Sequence, residues 1–452
     1  MLDQTLDLSP LRRTLHGALV TPDDPAYETA RQVFNAAIDR RPVALVRAAG
    51  VHDVQAVVAA AREHGLPLAV RGGRHGFAGD AVADGGLVLD LAGLDAVEID
   101  TDAREGRAQG GVTAGAYTTA AAERGLATGF GDTPTVGIAG LTLGGGIGWL
   151  VRRHGLTIDS LLGAEVVTAD GALVTADAET HPDLFWALRG GGGNFGVVTR
   201  LRFRLHEVGT IFGGMVALPA SAPVLAGLVA LAQAAPDDLT MIVHAGKAPP
   251  APFLPAEHHG KPVVFAMFVH AGGPAEGERT LHAIRGLAQP LAELVRAMRY
   301  PEIFALGGGG PERAPFAVRN GFADTFDEAA AQLALDRVAT ATTPMAVTQI
   351  RTLGGAVARV AGDATAFAHR DRRLLVITAA VSDDIDEAEA WADGTAAALG
   401  LPASGAYVNY LSDDGDATVR RAYPDATLDR LREVKRTYDP DNLFRLNRNV
   451  RP

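Results

Sequence analysis

The chain has 452 residues, 47% hydrophobic and 21% charged, with a formal net charge of −12 and no cysteine. That length exceeds one ordinary core and points to two domains. The acidic balance argues against nucleic acid or an anionic membrane as the main partner, since both need clustered Lys and Arg, and the missing cysteine excludes disulfides, thiolate catalysis, iron–sulfur clusters and zinc ribbons.

Residues 1–37 read as a helical lead-in, with no basic-then-apolar leader. No run approaches a membrane span, so a cytoplasmic protein is expected. A strand candidate, 42–47, precedes a helix over 53–61, where Val54, Val57, Val58 and Ala61 share one face and Gly65 caps the end. The apolar runs 66–70, 86–91 and 97–100 read as strands, and 113–123 as an alanine-rich helix capped by Thr113. Asp170-Gly171 turns a hairpin over 164–176, a short helix covers 183–188, and 197–205 alternates Leu201, Phe203, Leu205 against Arg200, Arg202, Arg204. Beyond residue 209 the texture changes. Strand candidates 212–218, 239–245, 262–269, 346–352 and 373–381 alternate with helix candidates 221–234, 276–288, 325–337 and 385–399. They read as a sheet covered by helices on one face. The proline-rich 248–255 reads as a surface loop and Gly307–Gly310 as a mobile one. A short strand is expected over Tyr407–Leu411, then a basic helix, 428–438.

The 53 glycines cluster, which suits close approach of backbone to a ligand. Arg71-Gly72-Gly73-Arg74-His75-Gly76-Phe77-Ala78-Gly79 follows a strand and makes a nest of N–H groups suited to a diphosphate. A second region, 129–149, holds eight glycines in twenty-one residues, as a wall against a flat ligand would. The third, Gly191 to Gly196, matches G-x-G-x-x-G, but a helix precedes it and a strand follows, the reverse of the dinucleotide fingerprint. No glycine run continues into Gly-Lys-Ser/Thr, so a P-loop is excluded. His75, inside the nest, is the histidine singled out: a neutral imidazole there can bond to the activated methyl group of a flavin. His181 and His258-His259 read as solvated, and no metal-ligand spacing is seen.

The Arg71–His75 loop, Pro134-Thr135-Val136-Gly137, Gly144-Gly145-Gly146-Ile147-Gly148, the 183–196 block and Leu446-Asn447-Arg448-Asn449 together resemble the berberine bridge enzyme-like FAD-linked oxidases of the vanillyl alcohol oxidase (PCMH-type) superfamily. The resemblance covers nearly the whole chain. It implies an α+β protein: a PCMH-type FAD-binding domain of two α/β subdomains over 38–208, a substrate domain with a mainly antiparallel sheet over 209–405, and a segment 406–452 returning to the FAD domain. It also implies FAD contacts at Arg71, Gly72, Gly73, Arg74, His75, Gly76, Gly79, Thr133, Thr135, Val136, Gly137, Gly140, Leu141, Gly145, Gly148, Val198, Asn447 and Asn449. The family's histidine attachment point falls on His75. Many members add a cysteine bond just before Pro-Thr-Val-Gly; here that residue is Thr133, so one covalent link is expected. Arg74 replaces a commoner glycine and either reaches a flavin phosphate or is simply solvated. Val136 falls where the family controls access of dioxygen, and valine there looks oxidase-like.

The acid–base residues are less fully marked. Tyr410 resembles the position from which relatives aim a tyrosine or histidine at the substrate; a regular strand would turn Tyr407 to the opposite face. The alternative is that both are ordinary strand aromatics. Where relatives carry Glu or Gln this chain has Thr378, and Val376 replaces a lysine. Phe77 and Ile147 replace tyrosines. The expected pocket is apolar, lined by Phe77, Ile147, Trp149, Val376 and Thr378, with Gln349 and Arg351 as polar groups. The implied activity is removal of hydride from an alcohol, amine or hydroxylated small molecule, with dioxygen as electron acceptor. The alternatives are a dehydrogenase using another acceptor and a flavin-binding protein without turnover.

Overall fold

The computed structural model describes residues 7–306, 313–413 and 415–452; the Gly307–Gly310 loop expectation lies outside them. The fold is α+β and built on three main sheets. The first is four-stranded: Ala18–Val20 lies antiparallel to Ala44–Arg47, and Leu87–Asp90 and Leu68–Arg71 continue the sheet in parallel. Its lead-in is therefore not all helical, because Ala18–Val20 joins a sheet edge after the short helix Ser9–Thr14. The helix Val51–Glu63 buries Val54, Val57, Val58 and Ala61 against this sheet, the face its 3,4 spacing marks.

The second sheet has five antiparallel strands in the order Val97–Asp100, Glu105–Gln109, Val197–Arg204, Leu161–Val167 and Leu173–Asp177. Leu201 and Phe203 are fully buried, while Arg200 and Arg202 lie on the wetter face. The helix Ala114–Ala122 starts at Thr113, whose hydroxyl accepts the Ala116 N–H.

The third sheet has seven antiparallel strands, ordered Ala292–Met298, Ile211–Pro219, Pro262–His270, Leu239–Lys247, Met345–Thr352, Leu374–Val381 and Phe316–Ala323. Helices Ala222–Ala234, Pro274–Arg285, Glu328–Ala339 and Ile385–Ala398 cover one face. Their core takes Val216, Met241, Val243, Phe268, Ile350 and Val376. The other face, with Ile242, Met267, Leu375 and Ile377, packs on Ile147 and Trp149 of the glycine-rich segment and on Leu150 and Ile158 just after it. Both edge strands, 292–298 and 316–323, are absent from the sequence reading. Ala-Glu-Leu-Val-Arg-Ala-Met favours a helix locally, and only docking on Ile211–Pro219 makes it a strand.

No described helix is long and apolar enough to cross a membrane. The C-terminal helix Asp425–Tyr438 carries the chain back to the first two sheets. Lys435 there is fully buried and donates to Asn194 O, Phe444 O and Asp439 Oδ2 at 2.8, 2.9 and 2.6 Å. The tail 439–450 is thereby tied beside the 191–196 loop.

Candidate flavin and substrate site

A cavity of about 380 Å³ opens at the ends of strands Leu68–Arg71 and Val197–Arg204, and the 407–411 segment forms another part of its wall. Its walls bring together all three glycine regions and the C-terminal tail: Gly72 to Phe77, Gly131 to Leu143, Gly192 to Val198, and Asn447. Two of these loops interlock by their backbones. A Cβ on Gly73 would strike Gly137 N and one on Gly137 would strike Gly73 N, so neither residue tolerates a side chain. At Gly76, Gly140 and Gly193 a Cβ would meet nothing within 4 Å. Protein packing does not account for glycine at these three positions; a ligand lying against bare backbone does.

Several buried polar atoms here have no partner among the described residues. Arg71 pairs with Asp90 at 2.7 Å and donates to Ala30 O at 2.8 Å, yet its Nε and Nη1 are unpaired. Asn447 Oδ1 and Asn449 Oδ1 are also unpaired. An unmet buried polar group is costly, and a large polar ligand would satisfy these. The residues present thus fit an adenine dinucleotide: a glycine cradle, a cation and the Asn447 amide along one cleft, with Asn449 beside it in the tail but outside the cavity lining.

His75 is half-buried in this wall. Phe34 stacks on its ring at 4.6 Å and its Nε2 lies 2.9 Å from Thr135 Oγ1. Burial, followed by the charge of Arg74, pushes its pKa down to about 4, so the imidazole is neutral at ordinary pH. Arg74 holds a left-handed φ of 65°, which sharpens the turn before the histidine.

Tyr407 and Tyr410 do not sit on a strand. Val408–Tyr410 is a single 3₁₀ turn, which Tyr407 precedes. Residues three apart eclipse in such a turn, so both rings face the cavity, 5.5 Å apart. This corrects the expectation of opposite faces. Tyr407 Oη accepts the Gly146 N–H at 2.9 Å and Asn409 Nδ2–H at 2.8 Å. Burial raises the pKa of both phenols; at Tyr410 the charge of Arg351 works against that rise.

Around Tyr410 runs an aromatic track. Phe77 lies 5.8 Å from it, Phe316 lies 6.2 Å from Phe77, and Phe34 stacks on Phe316 at 4.8 Å. Gln349 and Arg351 stand one layer behind the cavity wall. Arg351 donates to Asp132 Oδ2 and to Gln349 Oε1, each at 2.6 Å, and Gln349 Nε2 lies 2.6 Å from His244 Nε2. Burial, then Arg351, drives His244 down to about 4 and keeps it neutral. Asp132 is half-buried, and Arg351 outweighs the desolvation there and holds its carboxyl below the usual range. Asp132 and His244 are absent from the sequence reading. Asp132 adjoins Thr133 in a glycine-rich loop, which was the available signal; the role of His244 depends on strand pairing.

Three residues expected in the pocket lie elsewhere. Val376 is in the core under the helices, and Thr378 Oγ1 donates to Ala392 O on that same face at 2.9 Å. Strand periodicity is two, and the face that packs on the cavity residues Ile147 and Tyr407 is the odd-numbered one, with Leu375 and Ile377. Trp149 is buried against the third sheet, among Ile242, Met267 and Tyr300. Phe77 and Ile147 do line the cavity. Among the residues expected at FAD, Gly79, Gly145 and Gly148 are packed on Ile38, Phe367 and the Phe130 carbonyl, and so serve the shape of the walls rather than their surface.

The fold and site define a flavin-dependent oxidoreductase, and comparison with known proteins agrees. The model of an FAD binding domain matches residues 42–177, and that described as berberine and berberine like matches 406–451. (R)-6-hydroxynicotine oxidase of Paenarthrobacter nicotinovorans is 30% identical over 466 residues, covering 97% of each chain. The crystal structure of 6-hydroxy-D-nicotine oxidase from Arthrobacter nicotinovorans superposes with a TM-score of 0.87 at 29% identity, over 99% of this chain and all of that one. Xylooligosaccharide oxidase from Myceliophthora thermophila, solved with xylobiose, gives 0.86 at 25% identity over 98% of each. The chain belongs to the berberine bridge enzyme-like family of FAD-linked oxidoreductases.

Proposed function

We propose that this chain is an oxidase that removes hydride from a small molecule bearing an alcohol, amine or ring hydroxyl, with FAD bonded once, through His75. On this reading residues 38–208 and 406–452 hold the cofactor and 209–405 cover the substrate. When bound, the flavin supplies the hydride acceptor and, in an oxidase, is returned by dioxygen with release of hydrogen peroxide.

The observation that carries the reading is the single cavity shared by His75, the interlocked glycine loops and the Tyr407–Tyr410 pair. In the neutral ring of His75, the tautomer whose Nε2–H donates to Thr135 Oγ1 leaves the Nδ1 lone pair for bonding. Thr133 has no thiol, so a second link is not available. Arg71 and the 72–79 loop take the diphosphate, and Asn447 and Asn449 offer amides from the tail. Val136 lies in the wall, and a small side chain there suits an oxidase. The aromatic track of Phe34, Phe316, Phe77 and Tyr410 suits a flat ring better than a sugar, which needs many hydroxyl partners. The hydroxynicotine-oxidising relative supports the same preference. Tyr410 is the group that takes the proton from the substrate hydroxyl or amine, and the Arg351 cation beside its ring favours the phenolate this requires, against the opposing effect of burial.

Acid precipitation of the purified protein tests the attachment. The yellow chromophore stays with the pellet in the wild type and passes to the supernatant in His75→Ala. Intact flavin released from the wild type rules out the link; a colourless protein rules out the cofactor. Peroxide formed in step with substrate supports an oxidase, and turnover only with an artificial dye identifies a dehydrogenase.

A further inference from the structure

Groups from separate parts of the chain enclose Tyr410. Arg351, from the strand Met345–Thr352, stands with its Cζ 5.6 Å from the ring centroid. The glycine loop contributes the Phe77 ring at 5.8 Å, and the turn itself contributes Tyr407 at 5.5 Å. Arg351 is engaged in turn, by Asp132 of the second glycine region and by Gln349, which rests on the neutral His244. The charges that act on Tyr410 are therefore one cation close to the ring and one carboxylate bonded to that cation. The other two ionisable groups, Tyr407 and His244, are neutral at ordinary pH. A cation favours the phenolate and a carboxylate opposes it. Asp132 and Tyr410 both line the cavity, and the Arg351 guanidinium joins the carboxylate to the ring.

We propose that Asp132 is a positioning residue that acts on Tyr410 through Arg351, its carboxylate offsetting part of the guanidinium charge and so setting how readily the phenol releases its proton. The inference rests on the reading of Tyr410 as the proton acceptor, and it gives the Asp132–Arg351 pair a function beyond joining two parts of the chain. Removing the carboxylate leaves the cation unopposed beside the ring. Removing the cation leaves an unpaired, half-buried carboxylate there. The two neutralising substitutions thus move Tyr410 in opposite directions, whereas loss of a purely structural bridge would move it the same way in both.

The test uses the intact flavoprotein labelled with ¹³C at tyrosine Cζ, whose NMR shift reports phenol against phenolate; Tyr410→Phe identifies the signal. Asp132→Asn is expected to lower the midpoint of Tyr410 by about 1 to 3 pH units, and Arg351→Gln to raise it. Arg351→Lys keeps the charge without the planar fork and is expected to stay below Arg351→Gln. The ascending limb of the pH profile for flavin reduction, along which the base loses its proton, should move with the midpoints. Midpoints that do not move, that move the same way in Asp132→Asn and Arg351→Gln, or that coincide in Arg351→Lys and Arg351→Gln overturn the proposal. If Tyr410→Phe leaves flavin reduction untouched, the proton-acceptor reading fails while the NMR midpoints still decide the electrostatic one.

Discussion

Replacing Tyr410 with Phe removes one oxygen from the cavity and leaves the ring able to pack on Phe77 and under Arg351. The cofactor walls are untouched. The expected result is flavin reduction slowed on the order of 10²- to 10⁴-fold, the usual worth of a positioned acid or base, with flavin content unchanged. Stopped-flow bleaching of the flavin band measures this, and an unchanged rate removes Tyr410 from the mechanism. Single residues also show what could be read from the chain alone. His75 was legible because its reason is local: a nest of four glycines within eight residues surrounds it. Val376 and Thr378 were assigned to the wrong face because a strand's two faces differ by one residue, and an apolar run buried on both sides gives no phase. Asp132 and His244 acquire meaning only when Arg351 and Gln349 arrive from another strand.

At the scale of elements, long apolar runs with clear turns were readable, and short or marginal ones were not. The strands at 239–247, 262–270 and 374–381 lie within two residues of expectation. The 407–411 segment alternates like a strand, yet the two bonds to the Tyr407 hydroxyl hold it as a 3₁₀ turn. The C-terminal helix depends on a different device. Lys435 and Asp439, four residues apart, are both fully buried, and Asp439 also accepts the Leu443 and Phe444 N–H groups at 2.7 and 2.9 Å. Burial lowers the pKa of Lys435, and Asp439 counters that. Lys435→Met strands the carboxylate and two carbonyls in an apolar surround. A loss of about 3–5 kcal/mol in folding stability follows from breaking one partner of a buried pair. Since the pair anchors the tail that carries Asn447 and Asn449, weaker flavin retention in any non-covalent variant such as His75→Ala should accompany it. Urea unfolding measures the first effect and flavin content the second. A variant as stable as the wild type would show that the pair is not what fixes the tail.

Across the whole molecule, acid sensitivity is built into where the histidines lie. His154 and His206 stack at 4.0 Å beside the second sheet, and His244 sits under the third. Burial first, then neighbouring positive charge, brings His154 to about 3 and His206 and His244 to about 4, from an ordinary value of 6.5. In the unfolded chain each recovers that ordinary value, so between about pH 6.5 and 4 the unfolded state binds more protons than the folded one. Stability therefore falls as pH drops through that window. Carboxylates such as Asp53 and Asp132, whose folded pKa values are lowered, add their loss only at more acidic pH. The two contributions are separable because their windows differ. The urea midpoint is expected to drop between pH 7 and pH 5, where carboxylates alone would leave it nearly flat. His154→Phe should flatten that slope: the Nε2 it removes is buried with no partner among the described residues, and a phenyl ring can keep the stack on His206. An unchanged slope in this variant would assign the sensitivity to the other histidines, and a midpoint constant from pH 7 to 5 in the wild type would show that none of the three stays neutral in the folded protein.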